Sequence, residues 1–253
     1  MKIAVVTGAS SGFGMEFVKQ LNHCYRSLDE IWVIARRGER LCCLKDRLQI
    51  PVRVFEGDLL EDSFFQKFEQ LLEGEHPDIR MLVNSAGFGK SGTVEQILQE
   101  DKELQLRMIS LNCTALTRMT IICLPYLSKG SRILQLASAA AFCPQAGFSV
   151  YSATKSYVLS FSRSLGEELK ERGIIVTAVC PGPSDTEFFR VSGELTNPLK
   201  RLTMAKPSKV VKKALRDSRK KKAVSVYGIP MRFSRITSKL MPHGFILKIM
   251  NRH

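Results

Sequence analysis

Ile3-Ala4-Val5-Val6-Thr7-Gly8-Ala9-Ser10-Ser11-Gly12-Phe13-Gly14 is the stretch on which the fold turns. Its four leading apolar residues have the length and branched content of a buried strand. Glycines follow at 8, 12 and 14, and a helical pattern opens directly after them. A strand that runs through a glycine turn into a helix collects free backbone N–H groups and a positive dipole end at the turn, where glycine lets an anion approach the backbone. This fits the pyrophosphate of a dinucleotide, with Gly8, Ser10, Ser11, Gly12, Phe13 and Gly14 as the contacts. A Gly/Ser turn that holds no ligand is the plain alternative. No Lys-Ser/Thr pair follows the last glycine, so the loop is not of the Walker type.

Outward from that turn, short apolar runs alternate with helical patterns. Strands are expected at Ile3–Val6, Ile31–Ala35, Val52–Phe55, Met81–Asn84, Arg132–Leu136 and Ile174–Val179, with a seventh at Ala223–Tyr227. Helices are expected near 12–25, 38–49, 61–73, 95–127 (as two helices), 150–172 and 207–218, the last opened by Pro207. Such alternation implies right-handed crossovers and an α/β fold, a doubly wound parallel sheet with helices on both faces. The 253 residues suit a single domain over 1–253.

The composition, 44% hydrophobic and 25% charged, is that of an ordinary globular chain. The N-terminal apolar run is too short for a signal peptide, and no run approaches the ~20 apolar residues of a membrane span. Seven cysteines without CxxC spacing read as buried, reduced thiols in the cytoplasm. The scattered histidines offer no ligand spacing, so no metal site is expected. The net charge of +14 is uneven: residues 200–253 hold sixteen Lys and Arg against one acid, Asp217. A nearly neutral body therefore carries a cationic C-terminal part.

Further residues carry chemistry. Tyr151 and Lys155 stand four apart in a helical stretch, on one face. A cation beside a tyrosine favours the phenolate, so such a pair suits proton transfer to or from an alcohol or ketone. Arg36 and Arg37 end the second strand, facing the adenosine ribose in this architecture. Two guanidiniums and no acid there favour a 2′-phosphate, hence NADP(H) over NAD(H). Asp58, followed by Leu59, ends the third strand and reads either as an acceptor for the adenine amino group or as a helix N-cap. Asn84, Ser85, Ala86 and Gly87 end the fourth, small enough to admit a cofactor. Asn112 is a mid-helix amide that needs partners. Ser138 ends the fifth strand. Pro181-Gly182 ends the sixth, with Thr186 just beyond.

Taken together these residues resemble the short-chain dehydrogenases/reductases, most clearly over 1–190. The matching elements are TGASSGFG at 7–14, NSAG at 84–87, Asn112, Ser138, YSATK at 151–155 and PGPSDT at 181–186. The resemblance implies one Rossmann-type domain with seven parallel strands. It also implies a catalytic tetrad of Asn112, Ser138, Tyr151 and Lys155. Tyr151 would be the general acid/base, with Lys155 lowering its pKa and holding the nicotinamide ribose. Ser138 would orient the substrate oxygen, and Asn112 would fix the helix and a water in the proton path. Thr186 and the backbone after Pro181-Gly182 would hold the carboxamide. Ser85, Phe13, Ala141 and Ser184 depart from the usual pattern without removing a reacting group.

The expected activity is NADP(H)-dependent interconversion of a ketone or aldehyde and an alcohol, more often as a reduction. A hydrophobic, lipid-like or sterol-like substrate is expected. The alternative is a catalytically silent NADP(H)-binding sensor or scaffold. Residues 188–206 lie where the family places a mobile substrate loop. Residues 228–253 mix bases with large apolar side chains and leave three readings open: packing on the domain or a second subunit, contact with an anionic membrane or a lipid lid, or an anionic partner. Nucleic acid is not expected as a partner. A homodimer or homotetramer is expected through the helices at 95–127 and 150–172.

Overall fold

The computed structural model describes residues 1–184, 186–187 and 204–250. Its sheet holds β1 (Lys2–Thr7), β2 (Glu30–Ala35), β3 (Val52–Glu56), β4 (Asp78–Asn84), β5 (Arg132–Leu136), β6 (Ile175–Cys180) and β7 (Val224–Val226). The order is β3-β2-β1-β4-β5-β6-β7, and every pairing is parallel. The strand order reverses between β1 and β4, the crevice where open α/β sheets bind ligands. Thr7 pairs with Asn84, Asn84 with Gln135 and Gln135 with Ala178, so these strands end level at one carboxyl edge.

Side chains of β1 alternate between two apolar layers. Ala4 and Val6 meet Phe17 and Leu21 of α1 (Gly12–Cys24), Leu41 of α2 (Gly38–Lys45) and Val211 of the helix Pro207–Arg219. Ile3 and Val5 face Trp32, Phe68 of α3 (Asp62–Glu75) and Met119. Both faces of the sheet are thus covered, as parallel strands require.

The stretch 95–127, read as two helices, is α4 (Val94–Glu100) and then one continuous helical run. That run comprises α5 (Leu104–Ile109), a π turn (Ser110–Ala115), α6 (Leu116–Cys123) and a closing 3₁₀ turn (Leu124–Tyr126). Contrary to the reading from apolar runs, Leu104–Tyr126 is long and apolar enough to cross a membrane by length and composition. In the fold it is a layer helix: Met108, Ala115, Leu116, Met119, Ile122 and Cys123 are buried. After a 3₁₀ turn (Ala139–Phe142) come α7 (Ser149–Glu168), α8 (Pro207–Arg219), α9 (Ile229–Leu240) and α10 (His243–Met250). The expectation of buried thiols needs correction: all seven cysteines are free, but Cys24, Cys42 and Cys43 are exposed and only Cys123 and Cys180 are fully buried. The expected substrate loop lies outside the described residues up to position 203.

Candidate active site

β1 delivers the glycine loop to the carboxyl edge. Gly8 and Gly12 take φ angles of +67° and +52°, where side chains are strained. A Cβ on Gly14 would lie 2.2 Å from the Gly8 carbonyl oxygen, so α1 starts directly against the loop. Thr7 Oγ1 accepts from the backbone N–H groups of Ser85 and Ala86 at 3.0 and 3.1 Å, which fastens the loop to the end of β4. Thr186 approaches Gly12 from the β6 side. Ser11 precedes α1 without capping it by its side chain, and the first turn holds no acid. The positive end of α1 is therefore not neutralised by its own residues.

Arg37 engages the two serine hydroxyls instead. Its Nη2 donates to Ser11 Oγ at 3.0 Å and to Ser10 Oγ at 3.3 Å. The same nitrogen meets Glu187 Oε2 at 3.0 Å, while Arg40 Nη1 meets Glu187 Oε1 at 2.6 Å. One carboxylate is thus clamped by two guanidiniums. The hydrogen bond from Arg40, aided by Arg37, holds Glu187 below the usual carboxylate range. Arg36 is largely exposed and pairs at 3.8 Å with Asp58. Asp58 Oδ1 also accepts from Leu60 N at 3.0 Å. It is not the N-cap of α3, which begins only at Asp62 after Glu61. The Leu59 side chain is buried in the core beneath.

Tyr151 and Lys155 occupy the first turns of α7 and are both buried. Lys155 Nζ stands 5.6 Å from the centre of the Tyr151 ring and donates to the Leu136 carbonyl at 2.9 Å. The Ser138 side chain hydrogen-bonds the Tyr151 phenol. Asn112, in the π turn, clamps the chain after β4: Oδ1 accepts from Phe88 N at 3.0 Å, and Nδ2 donates to Phe88 O at 2.9 Å. Nδ2 also donates to Thr154 Oγ1 at 3.1 Å, which ties α7 to the same point. A Cβ on Gly87 would fall 2.6 Å from Asn112 Oδ1 and 3.4 Å from Lys155 Nζ, so only glycine lets this chain pass. Pro181 O accepts from Ala139 N at 2.8 Å and joins the end of β6 to the Ser138 turn.

Lysine was expected to acidify the tyrosine, and the structure differs. Burial pushes Tyr151 up to about 12, against the Ser138 hydrogen bond, and pushes Lys155 down to about 8. The ammonium is held at the Leu136 carbonyl, and desolvation disfavours the charged form of both groups.

The family model described as short chain dehydrogenase matches residues 2–195. The chain belongs to the short-chain dehydrogenase/reductase family. Serine 3-dehydrogenase of Agrobacterium fabrum is 32% identical over 192 residues, 74% of each chain. Very-long-chain 3-oxoacyl-CoA reductase of Anas platyrhynchos is 32% identical over 197 residues, 75% of this chain and 62% of that one. A short-chain dehydrogenase from Sphingobium yanoikuyae, solved in complex with NADPH, superposes with a TM-score of 0.80 at 28% identity, covering 95% of this chain and 94% of that one. As a member of this reductase family the chain is an oxidoreductase that takes a nicotinamide dinucleotide.

Within the family's frame, the structure gathers Ser138, Tyr151, Lys155, Asn112 and Gly87 at one place. It gathers Gly8, Ser10, Ser11, Gly12, Gly14 and Arg37 at another. Phe13, in the first turn of α1, packs against the core. Ala86 N is held by Thr7, and Gly182 lies under Met231, whose Sδ would meet an added Cβ at 2.6 Å. The Asn84 side chain turns inward to Thr120 Oγ1 at 3.0 Å, so what Asn84 offers at the edge is backbone. Sequence reasoning missed Arg40, Glu187, Phe148, whose ring stands 4.4 Å from that of Tyr151, and Met231. Arg40 was within reach of the sequence, since it stands one turn after Arg37 at the start of α2. Nothing in spacing links residue 187 to residue 37.

Proposed function

We propose that the protein is an NADP(H)-dependent carbonyl reductase that interconverts a ketone or aldehyde and an alcohol, with a hydrophobic substrate. The observation that carries the cofactor choice is the Glu187 carboxylate held by Arg37 and Arg40 beside Ser10 and Ser11. The chain has there a site for an anion, at the end of β2 where a 2′-phosphate would lie. The glycine loop and the uncapped start of α1 suit the pyrophosphate, and Lys155 suits the nicotinamide ribose. When bound, the cofactor supplies or takes the hydride. Tyr151 then hands its phenolic proton to the carbonyl oxygen in reduction and recovers one in oxidation, while Ser138 orients that oxygen.

The apolar substrate reading rests on the surroundings of Tyr151. Phe88, Phe148, Val150 and Met108 pack about it, and Met231 of α9 lies over Gly182. The relatives carry substrates as different as their names, so the class is read from this chain's own residues. Nicotinamide absorbance with a panel of polar and bulky apolar ketones tests the whole reading. Turnover of the apolar ketones with NADPH, and a fall of about 10³-fold in Tyr151→Phe with unchanged NADPH binding, is expected. NADPH binding without turnover of any carbonyl, and no effect of Tyr151→Phe, would instead identify a sensor. The oligomer we propose uses α5, α6 and α7, which expose Leu106, Ile109, Ile121 and Tyr157.

A further inference from the structure

The last two helices present a face that the rest of the described fold leaves uncovered. Ile229, Phe233, Ile236 and Leu240 recur along α9 and are 81%, 66%, 57% and 79% exposed. Intervals of four, three and four residues line one side of a helix. Phe245 of α10 is exposed as well. Arg232, Arg235 and Lys239 of α9 join Lys213 and Lys222 in lining a cavity beside β7. Asp217 lines it too, but it is buried and already accepts from Lys213 Nζ at 2.5 Å and Ser225 Oγ at 2.8 Å. It is the one acid in residues 200–253, and Lys222 lies 3.4 Å from its Oδ1.

We propose that this face docks peripherally on an anionic lipid bilayer, with α9 lying along the headgroup boundary. An apolar stripe flanked by bases is what such a helix needs: the stripe enters the acyl margin and the bases meet the headgroups. Charge separates this occupant from a second copy of the chain. A two-fold contact of α9 with α9 would set bases against bases, and Asp217 is not free to pair them. Nucleic acid would answer the charge but leave four large apolar side chains in water. By its other side α9 packs against the turn that follows Ser138.

Co-sedimentation of the full chain with phosphatidylcholine vesicles, with and without phosphatidylglycerol, tests this. Binding to the mixed vesicles alone is expected, weakening about tenfold or more between low and high salt. The double variant Phe233→Asp with Leu240→Asp is expected to lose vesicle binding and keep NADPH binding, which also reports that it is folded. Arg235→Gln with Lys239→Gln, a milder pair, is expected to reduce both the affinity and its salt dependence. Three results would overturn the proposal: wild type remaining in the supernatant; equal binding to both vesicle types; or aspartate variants that bind vesicles normally, whether they break a dimer or only raise KM for apolar ketones.

Discussion

The carboxyl edge of the sheet has two ends of opposite character. At the β2 end, Arg37 and Arg40 share Glu187, and Ser10 and Ser11 hold Arg37 in place. Charges there are paired, part-exposed and fixed in direction. At the β5–β6 end, Tyr151 and Lys155 are buried among apolar neighbours, and the ammonium is held by a backbone carbonyl. The first end holds an anion, the Glu187 carboxylate. The second buries two ionisable groups, and burial moves both away from their ordinary pKa values. On the proposed function, recognition and reactivity are separated along one edge, and only the reactive end is buried.

The contrast can be broken from the reactive side first. Asp217 accepts from Lys213 one turn earlier in α8 and from Ser225 of β7, and the second bond ties the helix to the sheet. Asp217→Asn is expected to cost about 3 kcal/mol in denaturant unfolding, because it strands a buried ammonium. Burial alone would raise this carboxyl, but hydrogen bonds from Lys213 and Ser225 hold it below the usual range. Its contribution is therefore full above the unfolded pKa, near ~4, and is lost as pH falls through the lower folded value. The gap between wild type and variant should close in acid; a gap that persists there would deny the ion pair.

Next comes the phenol. Subtracting the ultraviolet titration of Tyr151→Phe from that of wild type, with no cofactor added, should place phenolate formation near pH 12, the value to which burial raises it. Against an ordinary tyrosine that is about 2 units, or ~2.7 kcal/mol. Oxidised cofactor should draw the step downward by adding positive charge. A step near the ordinary value with no cofactor would erase the difference between the two ends.

The smallest effects belong to the recognition end. Arg37→Ala and Arg40→Ala should each lower the preference for NADPH over NADH about tenfold, the scale of one charge-assisted hydrogen bond. Glu187→Gln should act in the opposite direction, tightening NADPH about threefold while leaving NADH unchanged, because it removes a competing anion. Titrating both cofactors by fluorescence reads all three. An unchanged preference in the arginine variants would mean that the clamped anion does not mark the phosphate position.

Much of this was legible in the chain because strands and glycine turns write themselves locally. Buried strands such as Arg132–Leu136 were bounded correctly, and Pro207 opened its helix as read. β4 began earlier than expected, at Asp78, because Asp78 and Arg80 pair with each other and make its first turn of residues look polar. The tetrad residues were named from their motifs, but their electrostatics were not. Whether lysine acidifies tyrosine depends on where Nζ points, and the Leu136 carbonyl that holds it is nineteen residues away. The bridge from Glu187 to Arg37 spans 150 residues and has no local signature.

The π turn at Ser110–Ala115 can be seen as a phase correction. An α-helix advances about 100° per residue, so a helix that must satisfy two separate neighbourhoods has only one angle to offer both. Met108 packs with Tyr151 and Ala140, whereas Met119 packs into the layer with Trp32. Widening one turn between them resets the angle and aims Asn112 at Phe88 without disturbing either end. The same helical run therefore behaves as two independently clocked segments, and the residue that serves the site stands at the joint.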